Sequence, residues 1–216
     1  MDFPATVRAS CGALAQRMIS VSIRSKVYGD KPVLGQIDFD VARGETLALV
    51  GPSGIGKSTL LRILAGIDQK FDGTIKSSVS QAIVFQEPTL LLWRSVLDNL
   101  LIPHPDLSVE DARASLERVG LAGKDTLFPG QLSLGQQRRL SLARAFAGAP
   151  DVLIMDEPFV SLDQKTAESM LRLTESLIAT HKPATVFVTH DAREAERLAD
   201  RVLTLEASPS GAQLLQ

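Results

Sequence analysis

One short stretch constrains this chain more than any other, because it fits the phosphate-binding pattern G-x-x-x-x-G-K-[ST] without a mismatch. The stretch is Gly51-Pro52-Ser53-Gly54-Ile55-Gly56-Lys57-Ser58-Thr59. An apolar run at 46–50 precedes it and is typical of a buried strand, and apolar residues at helical spacing follow it as far as Gly66. A strand, a glycine-rich loop and a helix in this order predict a site for the phosphates of a nucleotide.

The residue types in this stretch suit phosphate chemistry. Glycines let backbone N–H groups turn inward and form a concave anion site, and the following helix points its positive dipole end at the same anion. We expect Lys57 to reach the β- and γ-phosphates, the Ser58 hydroxyl to ligate Mg²⁺ and Thr59 to add a phosphate contact. The alternative, an ordinary glycine turn with an incidental lysine, is disfavoured by the order of strand, loop and helix.

The composition limits the cellular compartments and the classes of partner that suit this chain. The 216 residues suffice for one large domain or two small ones, and the net charge of −2 gives no case for a broad nucleic-acid surface. The single cysteine, Cys11, excludes an internal disulfide framework and agrees with a reducing compartment. No apolar run approaches the ~18 residues that cross a bilayer, and the first residues do not resemble a signal peptide. We expect a cytoplasmic protein that another chain must anchor if it works at a membrane.

The remaining pattern predicts an α/β fold in a single domain over 1–216. Residues 1–17 are expected to be a flexible extension. Alternating apolar residues between 18 and 41 predict an antiparallel sheet over the phosphate loop, and 71–74 read as a turn. Buried strands that alternate with helices after 150 predict a mostly parallel sheet covered on both faces.

Between the two halves of this core, composition shifts towards helices and loops, so about 87–148 is predicted to be an inserted helical subdomain. One of its helices should begin after Ser108 and end at Gly120, with a core-facing apolar side formed by Val109, Ala112, Leu116 and Val119. The predicted fold is therefore a P-loop NTPase core with a mostly parallel sheet, an N-terminal antiparallel β subdomain and this insertion.

An acidic pair, Asp156-Glu157, directly follows the apolar run 152–155. Ligands of open α/β sheets bind outside the carboxyl ends of the strands. We expect Asp156 to hold Mg²⁺ opposite Ser58, and Glu157 to polarise the attacking water. Alone, the pair would better fit a helix cap; beside the phosphate loop that interpretation becomes the weaker one.

A second motif carries a family resemblance. Leu132-Ser133-Leu134-Gly135-Gln136, followed by Gln137-Arg138-Arg139, resembles the signature motif of ABC transporter ATPases. The family usually reads L-S-G-G-Q, so Leu134 departs from it at the first glycine. Further matches lie in family order and extend the resemblance from Tyr28 to Leu205. They are Tyr28 for the aromatic residue that stacks on adenine, Gln86 for the Q-loop glutamine, Ser161-Leu162-Asp163 for the D-loop and His190 for the switch histidine.

The resemblance implies a composite site for ATP. Ser133, Gly135 and Gln136 of one chain would cap the ATP held by the phosphate loop of another, giving a homodimer or a paired cassette in head-to-tail arrangement. His190 would contact the γ-phosphate and keep the water and Glu157 in line, and Gln86 would ligate Mg²⁺ or water. Leu134 can point away from the phosphate, so we expect activity to be retained.

Residues 87–100 resemble the segment that docks the coupling helix of a membrane permease in importers of the nitrate, sulfonate and taurine type. The alternative is that Trp93 packs within the helical subdomain. The resemblance implies integral membrane permease subunits and a substrate-binding protein as partners, no nucleic acid, and a peripheral location on the inner face of the cell membrane. The leading hypothesis is therefore an ATP-hydrolysing subunit that powers an importer.

Three alternatives stay open on the sequence. Soluble ABC ATPases of DNA repair or translation usually carry a coiled-coil insertion or two fused cassettes, and neither is present here. An unrelated P-loop kinase or GTPase would explain neither the signature-like motif nor His190. A catalytically weak regulatory cassette has Leu134 as its only hint.

Overall fold

The computed structural model describes residues 16–77 and 80–215, which form two compact units. Among these residues, the first unit comprises 16–77, 80–81, 151–157 and 182–215, and the second comprises 82–150 and 158–181. Most of the predicted N-terminal extension, with Cys11, lies outside the described residues. In chain order the elements are β1 (Arg17–Tyr28), β2 (Lys31–Leu34), β3 (Ile37–Ala42), β4 (Thr46–Val50), α1 (Lys57–Leu64), β5 (Asp72–Ser77), β6 (Gln81–Val84), α2 (Asp98–Leu101), α3 (Val109–Arg118), α4 (Leu134–Ala147), β7 (Val152–Asp156), α5 (Gln164–His181), β8 (Ala184–Val188), α6 (Ala192–Leu198), β9 (Arg201–Glu206) and β10 (Gln213–Leu214).

The first unit contains an antiparallel sheet in which β1 pairs with β2, β3 and β5. Val21 and Ile23 of β1 are buried, and Phe39 of β3 lies opposite Val21. The alternation of apolar and polar residues in the sequence therefore corresponds to a sheet with one buried face. This antiparallel subdomain is the one expected at the start of the chain.

The turn predicted at 71–74 is wrong, because 72–74 are the first three residues of β5. Gly73 pairs with Ile23 of β1 and has a φ of 146°. A Cβ built on Gly73 would lie 2.3 Å from the carbonyl oxygen of Ser22. Glycine serves here for the close approach of two strands, and the sequence pattern cannot distinguish that use from a turn.

The first unit also contains a parallel sheet with the strand order β9-β4-β8-β7, and β10 pairs antiparallel at the edge of β9. All residues of β4 and β8 are buried, which explains why their sequences are apolar except for Thr46 and Thr185. Parallel strands place their carboxyl ends at one edge. The segments that follow β4, β7 and β8 therefore meet there, and they carry the predicted site.

The second unit is mainly helical. Ser108 caps α3 by accepting a hydrogen bond at Oγ from the N–H of Asp111 (3.0 Å), as predicted. Val109 is exposed, which corrects its expected place in the core: it is the first residue of α3, and only later turns of the helix bury Ala112 and Leu116. No helix in the described ranges is both long and apolar enough to span a bilayer.

The second unit extends beyond the insertion predicted at 87–148, because it also contains α5. Arg139 of α4 donates a hydrogen bond to Ser169 Oγ of α5 (2.9 Å). The same guanidinium bonds the carbonyl oxygen of Val119, so one arginine ties the end of α3 to α4 and α5.

Candidate nucleotide site

The loop 51–56 leads from β4 into α1, and its last residue must be a glycine. Gly56 has a φ of 115°, and a Cβ there would lie 2.8 Å from Leu34 Cδ2 at the end of β2. The antiparallel sheet thus lies against the loop, as predicted. Lys57 begins α1, so the amide groups of Ser58 and Thr59 belong to a first turn whose N–H groups have no partner within the helix. Such a turn is an anion-binding site.

Lys57 is buried, and its ammonium lies inside the loop. Nζ donates hydrogen bonds to the carbonyl oxygens of Gly51 (2.7 Å) and Pro52 (2.9 Å). Burial lowers the pKa of Lys57, and the carboxylates of Glu157 and Asp156 act in the opposite direction. The Lys57 ammonium is thus held inside the loop by the loop's own carbonyl oxygens.

Ser58 and Asp156 face each other across the carboxyl edge of the parallel sheet. The Ser58 hydroxyl donates a hydrogen bond to Asp156 Oδ1 (3.2 Å). Burial raises the pKa of Asp156, and the bond from Ser58 partly offsets that rise. A hydroxyl and a carboxylate are oxygen ligands of the kind that Mg²⁺ takes, so this pair fits the metal expected beside the phosphates.

Glu157 directly follows β7, has a strained backbone conformation and lies at the carboxyl edge of the parallel sheet. Its φ is 43°, a region that costs a non-glycine residue roughly 1–2 kcal/mol. The Glu157 N–H donates to the carbonyl oxygen of Val188 at the end of β8 (3.1 Å). Its Oε2 lies 3.3 Å from Nδ1 of His190, whose side chain is the more exposed of the two. Strain of this kind is concentrated at functional sites, and here it brings a carboxylate to a histidine.

The turn that carries His190 is fixed by residues that sequence reasoning missed. Thr189 is buried; its hydroxyl donates to the Glu194 carboxylate and accepts a hydrogen bond from the N–H of Asp191 (3.0 Å). Asp191 in turn caps α6 by accepting from the N–H of Arg193 (2.8 Å). Asp191 and Glu194 have the spacing of a capping box, and this spacing in the sequence could have identified the turn. Burial raises the pKa of Glu194.

Tyr28 is half exposed at the end of β1, and its hydroxyl donates to Asp68 Oδ2 (2.6 Å). Lys26 also reaches this carboxylate, and its ammonium lies 4.3 Å from the centroid of the Tyr28 ring. Lys26 and Asp68 were not identified from the sequence. The alternation in β1 places Lys26 on the wet face with Arg24, but the strand pairing shifts register between Ile23 and Ser25, and Lys26 is buried.

The signature-like motif forms the N-terminus of α4 in the second unit. Ser133 Oγ accepts a hydrogen bond from the N–H of Gln136 (3.3 Å), and Gln136 Oε1 accepts one from the N–H of Ser133 (3.0 Å). Both side chains are therefore used in a capping box. Leu134 is the first residue of α4 and is 46% exposed, and Gly135 follows in the first turn. The N-terminus of a helix is the kind of feature that binds anions in proteins.

Gln86 is exposed in the segment after β6. Farther along the same unit Trp93 is 71% exposed and Leu92 61% exposed. The interpretation in which Trp93 packs inside the helical subdomain is therefore wrong.

The structure brings the loop 51–59 together with Asp156, Glu157 and His190, and the charges of both carboxylates act on Lys57. Tyr28 belongs to the same unit. Gln86 and the residues of the signature-like motif belong to the other unit.

Comparison with known proteins identifies the family. Residues 34–160 match the family described as ABC transporter. The chain is 48% identical to the aliphatic sulfonates import ATP-binding protein SsuB 2 of Nocardia farcinica, over 83% of this chain and 76% of that protein. It is 44% identical to the protein of that type, SsuB, from Mycobacterium sp., over 89% of this chain and 81% of that one.

A solved ABC transporter in an inward-facing conformation has a similar fold, with a TM-score of 0.81 and 26% identity over 93% of this chain and 83% of that chain. The match agrees with the predicted α/β class, with its parallel core and antiparallel subdomain. The chain therefore belongs to the ABC transporter family and is an ATP-hydrolysing subunit of an importer, as its motifs predict.

Proposed function

We propose that this subunit binds Mg-ATP between two copies of itself and couples its hydrolysis to the import of an aliphatic sulfonate through a membrane permease. The observation that carries this proposal is the meeting of Lys57, Ser58, Asp156, Glu157 and His190 at the carboxyl edge of one parallel sheet. Those five side chains supply a cation, two metal ligands, a base and a histidine.

Lys57 and the first turn of α1 hold the phosphates. The ammonium already lies inside the loop on the carbonyl oxygens of Gly51 and Pro52, so little reorganisation is needed when it turns to the β- and γ-phosphates. Glycines leave the loop amides uncovered, and Pro52, Ser53, Gly54 and Ile55 complete the loop around the phosphate chain.

Ser58 and Asp156 are the proposed ligands of Mg²⁺, with Gln86 from the second unit as a third ligand or a ligand to its water. The metal would neutralise charge on the β- and γ-phosphates. Asp156 must be ionised for this role. Burial raises the pKa of Asp156, and a divalent cation beside this carboxylate would favour its ionised form.

Glu157 is the proposed general base. A water oxygen attacks the γ-phosphorus as the bond from that phosphorus to the bridging oxygen breaks, and Glu157 takes the proton that the water loses. His190 contacts the γ-phosphate and holds the Glu157 carboxylate in line. The distance of 3.3 Å between His190 Nδ1 and Glu157 Oε2 supports this pairing.

The dimer follows from two anion-binding helix ends on one chain. The phosphate loop supplies one, and the N-terminus of α4 with Ser133, Gly135 and Gln136 supplies the other. In the proposed head-to-tail homodimer, α4 of one chain closes over the ATP held by its partner. Tyr28 stacks on the adenine.

Leu92 and Trp93 are proposed to dock the permease, because large apolar side chains this exposed mark contact sites on soluble subunits. A substrate-binding protein and a peripheral place on the inner face of the cell membrane complete the assembly. The named relatives support an aliphatic sulfonate as the transported solute.

The decisive variant is Glu157→Gln, which keeps the size of the side chain and removes the base. We expect hydrolysis to fall by roughly a hundredfold or more, and Mg-ATP to trap a dimer that light scattering detects. Glu110→Gln, on the exposed first turn of α3, is the matched control and should do neither. Undiminished turnover in Glu157→Gln, or a monomer at saturating Mg-ATP, contradicts the proposed mechanism.

Transport is tested with the membrane permease that co-purifies with this chain. Vesicles that contain the co-purified complex should take up a radiolabelled alkanesulfonate only with ATP, and the Glu157→Gln complex should not. If no permease co-purifies, the chain acts as a soluble ABC ATPase instead.

A further inference from the structure

Three side chains form a cluster at the end of β1 that phosphate chemistry does not use. The Tyr28 hydroxyl donates to Asp68 Oδ2 (2.6 Å), and Lys26 Nζ donates to Asp68 Oδ1 (2.7 Å). One carboxylate, in the segment between α1 and β5, thus accepts a bond at each oxygen from two residues of one strand. We call these three residues the tyrosine clamp.

The buried member of the tyrosine clamp is Lys26, which is 2% exposed. A buried ammonium is costly unless it is both paired and hydrogen-bonded. Asp68 provides the opposite charge, and the carbonyl oxygen of Lys70 accepts a second hydrogen bond from Lys26 Nζ at 2.7 Å. The bonds from Lys26 and Tyr28 lower the pKa of Asp68 to about 2, so the carboxylate is ionised wherever the protein works.

The tyrosine clamp restricts the ring of Tyr28 in two ways. Lys26 Nζ lies 4.3 Å from the ring centroid, well inside the ~6 Å of a cation–π contact, and so covers one face. The bond to Asp68 fixes the hydroxyl end. The residue is still 48% exposed, so ring surface stays open to a ligand. An unrestrained surface tyrosine would exchange rotamers on the picosecond-to-nanosecond scale.

We propose that Lys26 and Asp68 are positioning residues that hold the Tyr28 ring in one orientation for stacking on the nucleotide base. The inference rests on the proposed function, which assigns Tyr28 to the adenine. A ring that is already ordered loses no rotamer freedom when the base binds, and the affinity gained depends on the base rather than on the phosphates.

The test compares a ligand that has a base with one that does not. Calorimetry gives the Kd of ATP and of inorganic tripolyphosphate for the full chain and its variants. Tyr28→Phe keeps the ring and removes only the hydroxyl bond to Asp68; we expect its Kd for ATP to rise roughly threefold to tenfold. Its Kd for tripolyphosphate should not change.

Asp68→Ala should weaken ATP binding in the same way, and the effect should vanish in the Tyr28→Ala background, because Asp68 acts only through the ring. Lys26→Met, which removes the cation and keeps the aliphatic stem, should also raise the Kd for ATP and leave the Kd for tripolyphosphate unchanged. Asp72→Ala is the matched control: it removes an exposed ion pair with Arg24 of the same strand and should leave both Kd values unchanged.

The possible outcomes separate the adenine assignment from the inference that rests on it. Tyr28→Ala should raise the Kd for ATP roughly tenfold or more; if it does not, the adenine assignment itself is wrong, and the inference goes with it. If Tyr28→Ala weakens binding but Tyr28→Phe and Asp68→Ala do not, the inference alone is overturned. Equal losses for ATP and tripolyphosphate would mean that the tyrosine clamp only stabilises the fold.

Discussion

Lys57 Nζ donates a hydrogen bond to the carbonyl oxygen of Gly51, six residues earlier in the same loop, at 2.7 Å. The ammonium therefore closes its own loop before any phosphate arrives. A cation held there offsets the repulsion between carbonyl oxygens that turn towards one another, and it is available when a polyanion replaces them. Lys57 links the conformation of the loop to its affinity.

Lys57→Met tests this link, because it keeps the buried stem and removes the charge. We expect the Kd for ATP to rise by roughly a hundredfold or more, since a charge-assisted contact is lost in a buried site. Calorimetry measures the Kd, and circular dichroism checks that the chain stays folded. Lys76→Met, on the exposed face of β5, is the control and should bind ATP normally. Unchanged affinity in Lys57→Met would show that the phosphates bind elsewhere.

Asp156→Asn is expected to stabilise the empty protein while it abolishes the response to Mg²⁺. Burial raises the pKa of Asp156, so the folded chain keeps a proton that the unfolded chain loses near pH 4. Stability from this group is present at low pH and is lost as the pH rises through the folded pKa. At pH 7 asparagine removes that cost and still accepts the bond from Ser58, so the Tm should rise by roughly 1–3 °C.

Scanning calorimetry between pH 4 and pH 8 measures the difference in Tm between Asp156→Asn and the unsubstituted chain. The difference should shrink as the pH falls towards 4, since fewer folded molecules then carry the buried negative charge. Asp106→Asn, at an exposed position, should show no such trend. A Tm for Asp156→Asn below that of the unsubstituted chain at pH 7 would contradict the assigned effect of burial.

The sequence predicted the parallel core and the residues that meet at its edge because both depend on local patterns. An apolar run followed by glycines and Lys57, or by Asp156 and Glu157, identifies a strand that ends at the candidate site. Lys26 was missed because a register shift in β1 turned it inward, and single-strand alternation carries no information on such shifts. Gly73 was misread because a turn and a close strand contact both need glycine. The partners of both residues are distant in sequence.

Ser141→Ala is expected to be neutral or stabilising, by up to about 1 kcal/mol. Ser141 on α4 is buried, and among the described residues its hydroxyl has no hydrogen-bond partner. Removal of an unpaired buried polar atom leaves only a small change in packing. Ser169→Ala is the matched substitution, because Ser169 Oγ accepts a hydrogen bond from Arg139. Loss of that hydrogen bond should destabilise the protein by about 1 kcal/mol. Urea denaturation measures both, and equal losses would contradict the difference in bonding.

Leu134→Gly tests whether the departure from the family motif weakens the enzyme. Leu134 is 46% exposed at the first position of α4, and the capping bonds belong to Ser133 and Gln136. The glycine variant should therefore turn over ATP within about threefold of the unsubstituted chain. Leu134→Asp, which in the proposed dimer would set a like charge against the γ-phosphate, should lose roughly tenfold or more. Steady-state phosphate release measures both. A tenfold gain in Leu134→Gly would instead identify Leu134 as a brake on the dimer site, because only relief of crowding at the phosphate could raise turnover so far.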